Sequence, residues 1–208
     1  MAIEHLYSIP IYYENVTNYE QIQSEIDAAI PSIRFVQPPN LPKTHSVSDG
    51  LFHHDLISDK GLTHFSSELE THLGHYCEEL ACFNKSSGTI EEVEFLRESW
   101  MTCFGENDYA LQHDHGGVDI SGCYYYKTNE EDGSFYFASP LPASSPCYME
   151  LSSRQELRPN QGRILLFPGW LQHGVTQNTT GHCRMTLAFN ITFDHGDRWL
   201  GEKPNQKE

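Results

Sequence analysis

A chain of 208 residues with 38% hydrophobic and 12% aromatic content carries enough apolar side chain for one large packed domain, which excludes the disordered class. With 13 basic against 29 acidic residues the formal net charge is -16, so nucleic-acid phosphates and anionic membrane surfaces would repel it. No apolar run approaches membrane-spanning length, and the start "MAIEHLYSIPIYY" has no basic segment ahead of an apolar one. The six cysteines (Cys77, Cys82, Cys103, Cys123, Cys147, Cys183) form no CxxC pair, so a cytoplasmic protein with reduced thiols is expected.

Residues 18–33, "NYEQIQSEIDAAIPSI", put Ile22, Ile26, Ala29, Ile30 and Ile33 on one helical face, and Thr17 with Glu20 has the form of a capping box. Residues 34–58, with Pro38, Pro39, Pro42 and "SDG", predict an irregular connection. Helical period returns over 59–83 through Leu62, Phe65, Leu69, Leu73, Tyr76, Cys77 and Leu80, and "NKSSGT" stops it. From about residue 90 the period becomes two: "EEVEFLRESWMTCF" and "HCRMTLAFNITFD" alternate, "DISGCYYYKT" and "GSFYFAS" are β-rich, and "GRILLFPGW" reads as a buried strand. The expected class is α+β and mainly β, with two helices packed outside a sandwich or barrel. The chain is expected to be one domain: helical support over 1–90, a β core over 91–198, and a tail over 199–208.

Three elements of the β half carry candidate chemistry. In "QHDHGG", His113 and His115 are two apart, so on a strand they share a face while Asp114 points away; imidazole pairs of this kind suit Fe, Zn, Ni or Cu. In "GRILLFPGWLQHGV", His173 follows a buried strand and a Pro-Gly turn. In "GHCRMTLAFNITFD", Arg184, Thr186, Ala188 and Asn190 share one face, and Met185, Leu187, Phe189 and Ile191 form the apolar other. Each element alone is as readily a turn, a core or a solvated residue; the ordered set is far more specific.

That set, with "SGCYYYK" between its first and second members, resembles the iron(II)/2-oxoglutarate-dependent dioxygenases, on the prolyl-hydroxylase-like branch, over roughly residues 93–195. The resemblance implies a double-stranded β-helix (jelly roll) and a hydroxylase that uses Fe(II), 2-oxoglutarate and O2 and releases succinate and CO2. The substrate would be a small molecule or a peptide, with a prolyl or other amino-acid side chain favoured. Arg184 would pair with the distal carboxylate of 2-oxoglutarate, since a guanidinium fork matches a carboxylate with two hydrogen bonds. Thr186 would add a hydroxyl, Tyr125 a phenol, and Tyr124 is the second choice among the tyrosines.

The family pattern places an acidic residue where this chain has His115. Two ligand sets stay open: three neutral histidines (His113, His115, His173), or a set in which Asp119 or Asp114 replaces one of them. Spacing favours the first. Two further readings remain: a cupin-like three-histidine metalloenzyme that does not use 2-oxoglutarate, and a non-catalytic jelly-roll binding module. Elsewhere, His53-His54-Asp55 reads as surface loop, Asn107 and Asp108 as a turn, Trp100 as core, and Cys123 as a buried thiol on the Tyr125 face. Oligomeric state is not legible.

Overall fold

A computed structural model describes residues 8–38, 44–50, 54–82, 95–140 and 154–193. The tail at 199–208, the "NKSSGT" segment and His53 lie outside the described residues.

Helix α1 (Tyr19–Ala29) buries Ile22, Ile26 and Ala29, the predicted stripe, and runs into a 3-10 turn over Ile30–Ser32 with Pro31 in its first turn. The span 34–58, expected to be an irregular connection, instead holds two short strands and the start of a short helix α2 (Leu56–Asp59); α3 (Thr63–Cys82) follows and buries Phe65, Leu69, Leu73, Tyr76 and Cys77. The two long helices are tied together at their starts. Glu25 of α1 accepts from the backbone N–H groups of His64 and Phe65 at the start of α3. Glu68 of α3 accepts from Thr17 N and Oγ1 and from Asn18 Nδ2 at the start of α1. The expected Thr17–Glu20 capping box does not form: Asn18 is the N-cap and makes no side-chain capping bond, and Glu68 instead fixes the Thr17–Asn18 segment ahead of the helix.

The strands are β1 (Tyr12–Asn15), β2 (Phe35–Val36), β3 (Ser46–Ser48), β4 (Phe95–Phe104), β5 (Ala110–His113), β6 (Ile120–Lys127), β7 (Phe135–Phe137), β8 (Gln155–Leu157), β9 (Arg163–Pro168), β10 (His173–Val175) and β11 (Arg184–Phe193). They form two antiparallel sheets, of order β1-β9-β6-β11-β4-β3-β2 and β5-β10-β7-β8. The larger sheet packs one face on the helices, where Phe65 meets Tyr124 and Phe189 at ring distances of 5.2 and 6.1 Å. Its other face joins the smaller sheet around Phe135, Phe137 and Phe167. This is the jelly roll with outer helices that the sequence led us to expect.

The alternation of β11 decides what each face holds. Leu187, Phe189 and Ile191 are wholly buried against the helices, while Arg184, Thr186, Ala188 and Asn190 turn inward between the sheets. One expectation is overturned: not all thiols are free. Cys103 on β4 and Cys183, just before β11, form a disulfide, because the β4–β11 register sets their Cα atoms 6.5 Å apart. Cys77 and Cys123 are free and buried. Asp55 is also no loose surface residue: it pairs with Arg97 at 2.9 Å and accepts from Ser99 Oγ, tying α2 to β4. Among the described residues no helix is long and apolar enough to cross a membrane.

Candidate active site

A cavity of about 390 Å³ opens between the two sheets. His113, His115 and His173 all line it, and one ring nitrogen from each lies within 4.8 Å of the others. His113 closes β5 and His173 opens β10, and the two stand directly opposite each other in the antiparallel pair. His115 arrives by another route. The strand ends at His113, so His115 is not its strand-mate; the backbone N–H of His115 donates to Gly169 O, and its ring stacks on Trp100 at 5.9 Å. Convergence of the pair therefore comes from a turn as well as from strand phase.

The hydrogen bonds select the tautomers. Nδ1 of His113 lies 2.7 Å from Leu111 O, and Nδ1 of His173 lies 2.7 Å from Leu171 O. A carbonyl only accepts, so both Nδ1 atoms carry the proton and both Nε2 atoms keep a lone pair. Nδ1 of His115 lies 2.6 Å from Asn190 Oδ1, with the same consequence. Burial, with His113 adding to it, holds His115 down to about 4 and His173 down to about 3, so both rings are neutral at neutral pH. Three imidazole nitrogen donors at this spacing have the chemistry of a first-row transition-metal site.

Neither alternative carboxylate joins the cluster. Asp119 accepts from the N–H of Phe193 at the end of β11. Asp114 accepts from Gly116 N and Gln172 Nε2, in the loop beside the histidines. Among the described residues the cluster able to hold a metal is the histidine triplet alone.

Arg184 is 1% exposed. One Nη donates to Gly133 O at 2.7 Å, and the guanidinium lies over Phe104 and Tyr125 at 5.5 and 5.1 Å. Its Nε is buried without a hydrogen-bond partner, and among the described residues no carboxylate pairs with it. A buried cation with an unused donor is costly unless an anion completes it. Thr186, two residues on, shares a 2.5 Å hydroxyl–hydroxyl bond with Thr102, and both line the cavity. Tyr125 pairs with Thr186 across β6–β11, and its buried hydroxyl has the Cys123 thiol beside it but no hydrogen bond of ordinary geometry.

Tyr124 is corrected. Its side chain leaves by the helix side of the sheet, where it packs on Phe65 and accepts from Gln23 Nε2 at 2.9 Å. Alternation along β6 sends it away from the cavity. Trp100, expected in the core, is half-buried and lines the cavity. Three contributors had no role assigned from sequence: Asn190, Gly133 through its carbonyl, and His45, which stacks on Phe104 at 4.7 Å. The face shared by Asn190 and Arg184 was the one available signal for Asn190; the other two are brought in by tertiary contacts alone.

Residues 98–190 match the sequence model of a family described as "Putative 2OG-Fe(II) oxygenase". No curated protein matches by sequence. Among solved structures the chain is similar to a prolyl-4-hydroxylase of Pseudomonas putida (9% identity, 89% of this chain and 94% of that one, TM-score 0.56). It is similar to a Trichoplax adhaerens prolyl hydroxylase in complex with a hypoxia inducible factor peptide fragment (14%, 93% and 87%, TM-score 0.57). It is also similar to HygX of Streptomyces hygroscopicus with nickel and 2-oxoglutarate bound (14%, 88% and 83%, TM-score 0.56). These identities establish the fold; the matched segment runs from within β4 to within β11 and carries all three histidines and Arg184, so the β core of this chain is similar in sequence to that oxygenase family.

Proposed function

We propose that the chain, as one oxygenase domain, hydroxylates an unactivated C–H bond, with His113, His115 and His173 holding Fe(II) and Arg184 holding 2-oxoglutarate. The observation that carries this reading is the pairing, in one cavity, of three Nε2 lone pairs with a buried guanidinium whose Nε is unused. Bound Fe(II), 2-oxoglutarate and O2 supply the oxidising chemistry of the family, with succinate and CO2 as products. The chain's own part is to bind, orient and exclude water. Arg184 offers its Nε edge to the distal carboxylate, and Thr186 adds a hydroxyl beside it. Tyr125 packs against Arg184 and is the third residue assigned to this end.

Three neutral ligands leave the metal its full double charge, so the doubly charged cosubstrate compensates charge that a carboxylate ligand would otherwise supply. The cavity wall is largely apolar, with Val47, Trp100, Phe104 and Phe167 among its residues, which suits an uncharged reacting group such as a prolyl or other amino-acid side chain. The substrate would be a small molecule or a peptide; a net charge of -16 disfavours polyanions.

The test is anaerobic loading with Fe(II), addition of 2-oxoglutarate, ascorbate and O2, and measurement of succinate. Wild type should form succinate, and His173→Ala and Arg184→Ala should lose it. The three-histidine cluster, with no carboxylate in it among the described residues, supports a second reading, a cupin-like three-histidine enzyme without 2-oxoglutarate. It predicts metal binding with no 2-oxoglutarate affinity, and no effect of Arg184→Ala on turnover. A chain that binds neither ligand would be a jelly-roll binding module.

A further inference from the structure

His115 differs from the other two histidines in what holds its Nδ1. His113 and His173 each donate to the carbonyl two residues back, a contact made within their own segment of chain. His115 lies beyond the end of β5, and its partner is a side chain 75 residues away on β11. The difference falls at the position where the family pattern has a carboxylate. A carboxylate has two equivalent oxygens and needs no help to present a lone pair. A neutral imidazole has one lone pair, and in water the tautomer with hydrogen on Nε2 predominates, which would point an N–H at the metal.

Resting on the metal site proposed above, we infer that Asn190 is a positioning residue: its Oδ1 takes the Nδ1–H of His115 and so turns the Nε2 lone pair into the cavity. The orientation of the Asn190 amide is itself determined. Its Nδ2 faces Glu98 Oε2 at 3.4 Å, and a carboxylate accepts but does not donate. Ser121 Oγ donates to the same Oδ1 at 2.8 Å. A flipped amide would place its NH2 against both His115 and Ser121 and its oxygen against the Glu98 carboxylate. Asn190 and Ser121 are buried, at 6% and 1% exposed, while His115 and Glu98 at the two ends of the network are half-buried. Trp100 lies on the His115 ring at an interplanar angle of 21°, limiting its rotation.

Asn190 also shares the inward face of β11 with Arg184 and Thr186. One strand thus carries the cosubstrate anchor at one end and the support for the exceptional metal ligand near the other. Glu98 is on β4, directly opposite Asn190 in the register, so the chain Glu98–Asn190–His115 crosses from the neighbouring strand to the metal position.

Two measurements on the full-length, metal-free chain test this. Long-range proton–nitrogen NMR of the histidine rings should show His115 with hydrogen on Nδ1; hydrogen on Nε2 would overturn the inference without any variant. Co(II) affinity, read by competition with a fluorescent chelator, should fall about 10- to 100-fold in Asn190→Leu, the range for loss of an outer partner of a metal-bound histidine. Asn190→Asp combined with Glu98→Gln keeps an acceptor for the same N–H without setting two carboxylates face to face, and should hold Co(II) within about 3-fold of wild type. Unchanged affinity in Asn190→Leu, or equal loss in both variants, overturns the positioning role. His113→Ala and His173→Ala separate the two claims. If neither weakens Co(II), the metal site itself is wrong; if both do and Asn190→Leu does not, only the role of Asn190 is.

Discussion

Arg184→Met should separate a binding arginine from a structural one, because the two roles predict opposite signs. In the metal-free, cosubstrate-free chain Arg184 is a 1% exposed cation with one hydrogen bond, to Gly133 O, and an unpartnered Nε. Methionine keeps most of the apolar contact with Phe104 and Tyr125 and removes the buried charge. Replacing incompletely paired buried charges by apolar side chains is often neutral or stabilising by about 1–4 kcal/mol. Here the lost bond to Gly133 O offsets part of that, so unfolding in urea should be unchanged or up to about 2 kcal/mol more costly. Cosubstrate affinity should move the other way. Two charge-assisted hydrogen bonds at about 1.5–3 kcal/mol each amount to about 3–6 kcal/mol, or a loss of at least about 100-fold in 2-oxoglutarate affinity. Calorimetric titration with Mn(II) in place of Fe(II) measures this without turnover. A variant several kcal/mol less stable than wild type that binds 2-oxoglutarate normally would refute the reasoning.

Three further outcomes follow from the structure. Burial holds His115 near 4 and His173 near 3, below the roughly 6.5 of an unfolded histidine, so the unfolded chain binds more protons between these values. The stability they confer on the chelator-treated chain should be complete above pH about 6.5 and lost as pH falls through 4 and 3, at up to about 1.4 kcal/mol per pH unit for each ring; urea midpoints that stay flat from pH 7 to 5 would contradict this. His45 and His72, also lowered by burial, add to the loss with the same sign. Gly133 has φ of 96°, and a Cβ there would lie 2.5 Å from Thr176 O, so Gly133→Ala should cost about 1–3 kcal/mol and weaken 2-oxoglutarate binding by displacing the carbonyl that holds Arg184. Phe189→Ala, on the helix side of the same strand, should cost about 3–5 kcal/mol while Co(II) affinity in the folded fraction stays within a few-fold of wild type.

Strand β11 shows how much was legible in the sequence. Its two-residue period separates Arg184, Thr186 and Asn190 from Leu187, Phe189 and Ile191; the structure puts Arg184 and Thr186 in the cavity, Asn190 behind His115, and the second set under the helices. The same rule sends Tyr125 inward and Tyr124 toward Phe65. These assignments depend only on neighbouring residues and the geometry of an extended chain. The rule fails at His115, where β5 has already ended and a turn hydrogen-bonded to Gly169 carries the ring to the cluster. It is also silent on Cys103 and Cys183, eighty residues apart, whose pairing depends on strand register. The tie between Glu68 and Thr17 ahead of α1 is another non-local choice.

The sequence by itself determined the two long helices and the inward face of each long strand, because periodicity is a local property, and it offered His113, His115, His173 and Arg184 as an ordered set through a family resemblance. Tertiary structure alone decided that, among the described residues, no carboxylate joins the histidines and Arg184 keeps an unused donor, and that Asn190 meets His115. The physical reason is the same in each case. A hydrogen bond is settled within a few tenths of an ångström, and partners 75 residues apart reach that range only once the sheets have closed.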